Sequence, residues 1–195
     1  IKSEERIREY ALQITDFLLS KGVKMILIAC NTVSASAKEE IKALAGDIPV
    51  LDVISAGARA ATEQQHHQQI GVIGTLATIA SGAYTRSIHA LDPEVQVVER
   101  SCPLLVPLAE EGWIDHEVAR ATLREYLQPF TEQLPDALIL GCTHYPLFKP
   151  VLSDILGNDI AIIDSADSIA ADAAQRLLKL NLCNKKGGRF DCYVS

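Results

Sequence analysis

Two cysteines occupy matching places in this sequence. Cys30 follows the apolar run Met25-Ile26-Leu27-Ile28-Ala29 and precedes Asn31 and Thr32, while Cys142 follows Ala137-Leu138-Ile139-Leu140-Gly141 and precedes Thr143 and His144. Short continuous apolar runs fit strands buried on both faces of a parallel sheet, and in open α/β sheets ligands bind beyond the carboxyl ends of the strands. A residue just ahead of a helix also feels its positive end, which favours a bound carboxylate or a thiolate by about 0.3–1 kcal/mol. Thiolates become reactive in such settings. The competing reading is that both cysteines are small buried hydrophobes, the usual fate of a free thiol. The neighbours favour chemistry: Asn31, Thr32, Thr143 and His144 put donors and acceptors at strand tips, where a purely structural turn does not need them. Gly74-Thr75 ends a third apolar run, Ile70-Gly71-Val72-Ile73, with another hydroxyl.

Three reactions use such groups. Disulfide exchange usually places its cysteines close in sequence, as in C-x-x-C, and needs their Cα atoms within about 7 Å. Nucleophilic hydrolysis needs one cysteine with a histidine and an orienting residue. Racemisation at an α-carbon needs a base on one face and an acid on the other, exchanging roles between directions. Two chemically identical groups suit that exchange, provided their environments push their pKa values apart. The α-proton is weakly acidic, so donors must also stabilise the developing carbanion and hold the carboxylate.

The elements that must position these residues alternate. Apolar spacing predicts helices over 4–20, 33–44, 56–69, 77–91, 107–112, 116–133 and 166–180, and strands over 25–29, 49–54, 70–75, 95–99, 137–141 and 160–164. Strands alternating with helices mean βα units and mostly parallel sheets, an α/β fold. Six strands fit one sheet, or two small domains with the chain crossing near residue 55 and returning near residue 165. The last residues, Cys192-Tyr193-Val194-Ser195, read like the start of a further strand.

Composition bounds the function. Among 195 residues, 48% are hydrophobic and 22% charged, with a net charge of −7. These are ordinary values for a globular protein, and the acidic balance argues against a dedicated nucleic-acid binder. The one basic cluster, Lys185, Lys186 and Arg189, reads as a solvated tail. No apolar run approaches the roughly 20 residues that span a bilayer, and no secretory signal opens the chain, so no membrane partner and a cytoplasmic location are expected. The five cysteines match no zinc spacing and are expected as free thiols.

Ile28-Ala29-Cys30-Asn31-Thr32-Val33-Ser34-Ala35 and Leu140-Gly141-Cys142-Thr143-His144-Tyr145-Pro146-Leu147 resemble the two signatures of glutamate racemases, in the same order. Gly71-Val72-Ile73-Gly74-Thr75 and Cys102-Pro103-Leu104-Leu105-Val106-Pro107-Leu108 between them are also similar to that family. The resemblance implies two small α/β domains, 1–54 plus 165–195 and 55–164, with mostly parallel sheets flanked by helices and an active site in the interdomain cleft. It implies no cofactor, neither pyridoxal phosphate nor metal, and glutamate as the small-molecule partner. Cys30 and Cys142 become the two proton carriers. Asn31, Thr32, Thr75 and Thr143 bind substrate, His144 assists Cys142 and also touches substrate, and Glu110 matches a carboxylate that assists catalysis. Cys102, Cys183 and Cys192 match no catalytic position and are expected to be structural. The implied role is supply of D-glutamate for peptidoglycan, and family members are often homodimers.

The family's Asp-Ser-Gly turn and Tyr-Gly pair, both of its active site, have no counterpart in this sequence. On the family pattern a segment precedes Ile1 and another follows Ser195, and the chain alone is expected to have little racemase activity. Two rivals stand beside this reading. One is an aspartate racemase, disfavoured by Cys142-Thr143-His144 where those enzymes resemble Cys-Thr-Glu. The other is a non-catalytic remnant kept as a binding protein.

Overall fold

Gln69–Gly74 and Ala137–Gly141 are buried along their whole length, as strands covered by helices on both faces must be. The computed structural model describes residues 3–63, 67–157, 159–185 and 187–194. In chain order the elements are α1 (Glu4–Ser20), β1 (Ile26–Ile28), α2 (Asn31–Ala45), β2 (Val50–Asp52), α3 (Val53–Glu63), β3 (Gln69–Gly74), α4 (Leu76–Ala80), α5 (Ala83–His89) and β4 (Gln96–Ser101). They continue with α6 (Leu105–Glu110), α7 (Glu117–Glu132), β5 (Ala137–Gly141), a 3₁₀ turn (Tyr145–Phe148), α8 (Lys149–Leu156), β6 (Ala161–Asp164) and α9 (Ser165–Lys179). The α/β reading holds, and every strand pairing is parallel: β1 with β2, and β4-β3-β5-β6 in a second sheet.

Alternation along the central strands divides the larger sheet's core in two. Ile73, Leu138 and Leu140 face a layer built on Leu105, Leu123, Leu127, Phe130, Phe148 and Leu152, from α6, α7, the 3₁₀ turn and α8. Ile70, Val72 and Ile139 face Ile54, Ala58 and Ala61 of α3 with Tyr84 and Ile88 of α5. The small sheet has its own core, where Ile26 and Ile28 meet Ala11 of α1 and Ala37, Ile41 and Ala45 of α2. Ile169 of α9 packs on Val53 and Ala56 of α3, so α3 serves both the large sheet and the closing helix.

Local chemistry sets the helix ends. Ser3 accepts the amide of Arg6 at 3.3 Å to cap α1, with Glu4 and Glu5 in the first turn, and Asp164 accepts the amide of Ala166 at 2.9 Å to cap α9. Gly46 closes α2 at φ +59°, a left-handed value that costs glycine little.

Several expected boundaries move. The 77–91 helix is two helices, because Ser81 and Gly82, with Gly82 at φ +62°, turn the chain between α4 and α5. The 49–54 strand stops at Asp52, whose carboxylate accepts the Ser55 amide at 2.9 Å and starts α3 with Val53 and Ile54 inside it. The 56–69 helix ends at Glu63, residues 64–66 lie outside the described residues, and Gln69 already belongs to β3. Residues 191–194 form no strand. Lys186 of the basic cluster lies outside the described residues, while Lys185 and Arg189 are exposed. No helix among the described residues is long and apolar enough to cross a membrane.

Candidate active site

All the parallel strands deliver their carboxyl ends to one kind of place, and the singled-out residues sit there. Cys30 leaves β1 and stands as the extended residue ahead of α2, accepting the Ser34 amide on its carbonyl at 2.8 Å. Thr75 leaves β3 and caps α4, its hydroxyl accepting the Thr78 amide at 3.2 Å. Cys142 leaves β5, and its carbonyl accepts the Tyr145 amide at 3.1 Å, tightening the chain into the 3₁₀ turn.

Side-chain bonds tie the tip of the small sheet to those of the large one. The Thr32 hydroxyl lies 3.1 Å from that of Thr75 and 3.4 Å from that of Thr78, and Thr75 and Thr78 are 3.0 Å apart. Three hydroxyls thus close a triangle, and its third member, the fully buried Thr78, was not singled out by sequence. Beside it the Tyr84 hydroxyl donates to Asn31 Oδ1 at 2.7 Å. The Nδ2 of the same amide is buried with no hydrogen-bond partner among the described residues.

The two thiols differ. Cys30 is exposed, whereas Cys142 is 7% exposed. Burial pushes the Cys142 thiol up from its ordinary range, and a negative charge on Cys30 would push the same way. The backbone amides of His144, Tyr145 and Thr143 oppose that rise by donating toward the sulfur. This is a protonated thiol at rest whose anion the neighbouring backbone amides favour.

Behind Cys142 runs a short polar line. Its Sγ is 3.8 Å from His144 Nδ1, and His144 Nε2 is 3.6 Å from Glu110 Oε1, which reaches over from the end of α6. Glu110 is 65% exposed, so it meets the site through His144 from the solvent side. Thr143 lies exposed at the strand tip. Gly141 is required just ahead of Cys142, because a Cβ there would stand 2.8 Å from the Ile73 carbonyl oxygen and 3.1 Å from the Tyr84 ring.

The remaining cysteines do not share one role. Cys102 is fully buried, its thiol pushed up to about 12 by burial and its carbonyl bonded by the Tyr145 hydroxyl at 2.8 Å. It is a core residue. Cys183 and Cys192 are exposed, which corrects the expectation that they are structural, since an exposed thiol packs little. All five are unpaired. Among the described residues no group of three or more His, Cys, Asp or Glu side chains is placed to hold a metal ion.

Known proteins are similar to this chain in sequence and fold. The family described as Asp/Glu/Hydantoin racemase matches residues 1–173. The glutamate racemase of Syntrophus aciditrophicus is 50% identical over 184 residues, spanning 94% of this chain and 68% of that protein. The glutamate racemase of Neisseria meningitidis serogroup A is 47% identical, over 100% of this chain and 72% of its own length. The crystal structure of the Francisella tularensis glutamate racemase in complex with D-glutamate superposes with a TM-score of 0.89 at 38% identity, covering 95% of this chain and 69% of that one.

Proposed function

The chain belongs to the Asp/Glu/Hydantoin racemase family, and from that premise we propose that it interconverts L- and D-glutamate by passing the α-proton between Cys30 and Cys142, without a cofactor. One observation carries the mechanism: Cys30 and Cys142 both follow the carboxyl ends of parallel strands whose tips are tied together by the Thr32–Thr75 hydroxyl contact, and the two thiols differ in burial. The relatives named glutamate racemase support the choice of substrate over aspartate.

In one direction the Cys30 thiolate takes the α-proton and becomes a thiol. The electron pair of the broken C–H bond stays on the substrate, delocalised into its carboxylate. The Cys142 thiol then donates its proton to the opposite face and becomes the thiolate, held by the amides of Thr143, His144 and Tyr145. The reverse reaction exchanges the roles, and the pair is restored after one turnover each way. His144, backed by Glu110, supplies the imidazole through which the more buried sulfur exchanges protons. Asn31, Thr32, Thr75 and Thr143 offer the donors for the substrate's carboxylates, and Thr78 holds the hydroxyl triangle that aims Thr32 and Thr75.

The same reading assigns 1–54 with 165–195 to one domain and 55–164 to the other, with substrate in the cleft between them. It further assigns assembly as a homodimer, a cytoplasmic site of action, and supply of D-glutamate to peptidoglycan.

Incubation of the native protein with L-glutamate in deuterated water, with no added cofactor, is the test. The expected result is decay of the circular dichroism of glutamate to zero with deuterium appearing at Cα, and no comparable turnover of aspartate. Stable optical activity would overturn the proposal, and preferential turnover of aspartate would transfer it to the other substrate.

A further inference from the structure

An asparagine amide can present either end to a ligand, since its oxygen and nitrogen are nearly equal in shape but opposite in hydrogen-bonding sense. For a carboxylate substrate only the N–H end is useful. Something must therefore fix which end of Asn31 faces the substrate, and a buried tyrosine from the other sheet's helices is placed to do it.

Tyr84, from α5, is fully buried, and its hydroxyl is 2.7 Å from Asn31 Oδ1. Its ring is held on two sides. An added Cβ at Gly141 would lie 3.1 Å from it, so that glycine leaves the space the ring fills, and Gly57 of α3 lies against its other side. The Tyr84 hydroxyl gives its proton to Asn31 Oδ1. The amide is then turned one way, with Nδ2 as the free end. That nitrogen is buried and has no partner among the described residues. An unmet buried donor is costly, and a ligand acceptor relieves that cost on binding. Neither spacing nor residue type marks Tyr84 in the sequence, where it is one apolar position of a helix.

We propose that Tyr84 is a positioning residue: its hydroxyl locks the orientation of the Asn31 amide so that Nδ2 donates to a carboxylate of the bound amino acid. The inference rests on the racemase reading. It adds a residue that never touches substrate and acts one side chain removed.

The test is Tyr84→Phe in the native protein, which keeps the ring and removes only the hydroxyl. If the amide loses its lock, carboxylate binding weakens in ground and transition states alike, so KM for glutamate rises about tenfold while kcat stays within about twofold. A merely structural role would lower the amount of folded enzyme and the thermal midpoint, and would leave KM where it was. A double-mutant cycle makes the assignment specific. In an Asn31→Ala background, Tyr84→Phe is expected to change KM by less than about twofold, because the amide it orients is gone. Unchanged KM in Tyr84→Phe, or effects that multiply in the double variant, would overturn the positioning role while leaving racemisation intact. A wild-type protein inert toward glutamate would instead overturn the racemase reading and the proposal with it.

Discussion

Serine in place of either Cys30 or Cys142 is expected to lower kcat/KM for glutamate racemisation by about 10³-fold or more. Proton transfer by a positioned side chain contributes typically 10²–10⁴-fold. Each direction of this reaction uses both groups, so neither variant keeps a good direction. A hydroxyl retains the geometry but is a far weaker acid than a thiol and a far scarcer anion. The losses should not be identical in character. Cys142 is buried and its sulfur stands 3.8 Å from His144 Nδ1, whereas Cys30 is exposed ahead of α2. Each variant keeps one functional thiol on one face, and should therefore exchange the α-hydrogen of one enantiomer faster than that of the other. The preference should reverse between the two variants. Exchange measured by proton NMR on separate enantiomers reads this directly, and full racemase activity in either variant would end the two-thiol mechanism.

The second large effect concerns stability. Asp52→Asn is expected to destabilise the fold by about 2–4 kcal/mol at neutral pH, because breaking a buried ion pair strands its partner. Asp52 ends β2 with its side chain 3% exposed, and Lys38 Nζ of α2 lies 2.7 Å from its Oδ2. The same ammonium donates to Ser55 Oγ at 2.6 Å, and the Ser55 amide donates to Asp52 Oδ1 at 2.9 Å. One carboxylate thus fastens α2 to the first turn of α3, where the chain passes from the small sheet to the large one. Burial alone would raise the Asp52 carboxyl. The Lys38 bond and charge and the Ser55 contacts outweigh it and hold the group below its ordinary range. A carboxyl lowered on folding stabilises fully above its unfolded pKa of about 3.9, and that stability is lost as pH falls through the folded value. Urea unfolding should show a large gap between wild type and Asp52→Asn at pH 7 that narrows below about pH 4. A gap independent of pH would remove the ion pair from the account.

Sequence carried much of this architecture because its strongest signals are strand-like and local. Continuous apolar runs such as Leu138-Ile139-Leu140 can only be strands buried on two faces or core helices, and their shortness decides between the two. The residues just after them then fall at strand tips, and Cys30, Thr75 and Cys142 follow from that. Residues reached by the fold from the middle of helices were invisible. Thr78 joins the hydroxyl triangle from the third position of α4, and Tyr84 reads as an ordinary apolar position of α5. The break between those helices was hidden because Ser81-Gly82 lies inside an uninterrupted helical pattern. The 3₁₀ turn and α8 were missed for the opposite reason. Pro146 and Pro150 punctuate the stretch, yet each sits in the first turn of its element, where a missing N–H costs nothing. Glu110 was reached through the family resemblance, since an exposed helical carboxylate carries no signal of its own.

The central claim is that two different sulfurs serve the two faces of one amino acid. It is tested most directly by the isotope content of both enantiomers in the first turnovers of native protein with L-glutamate in deuterated water. The expected result is D-glutamate that carries deuterium at Cα from its first appearance, while the remaining L-glutamate still holds protium. Early D-glutamate rich in the substrate's own protium would mean a single group serving both faces, and would contradict the account.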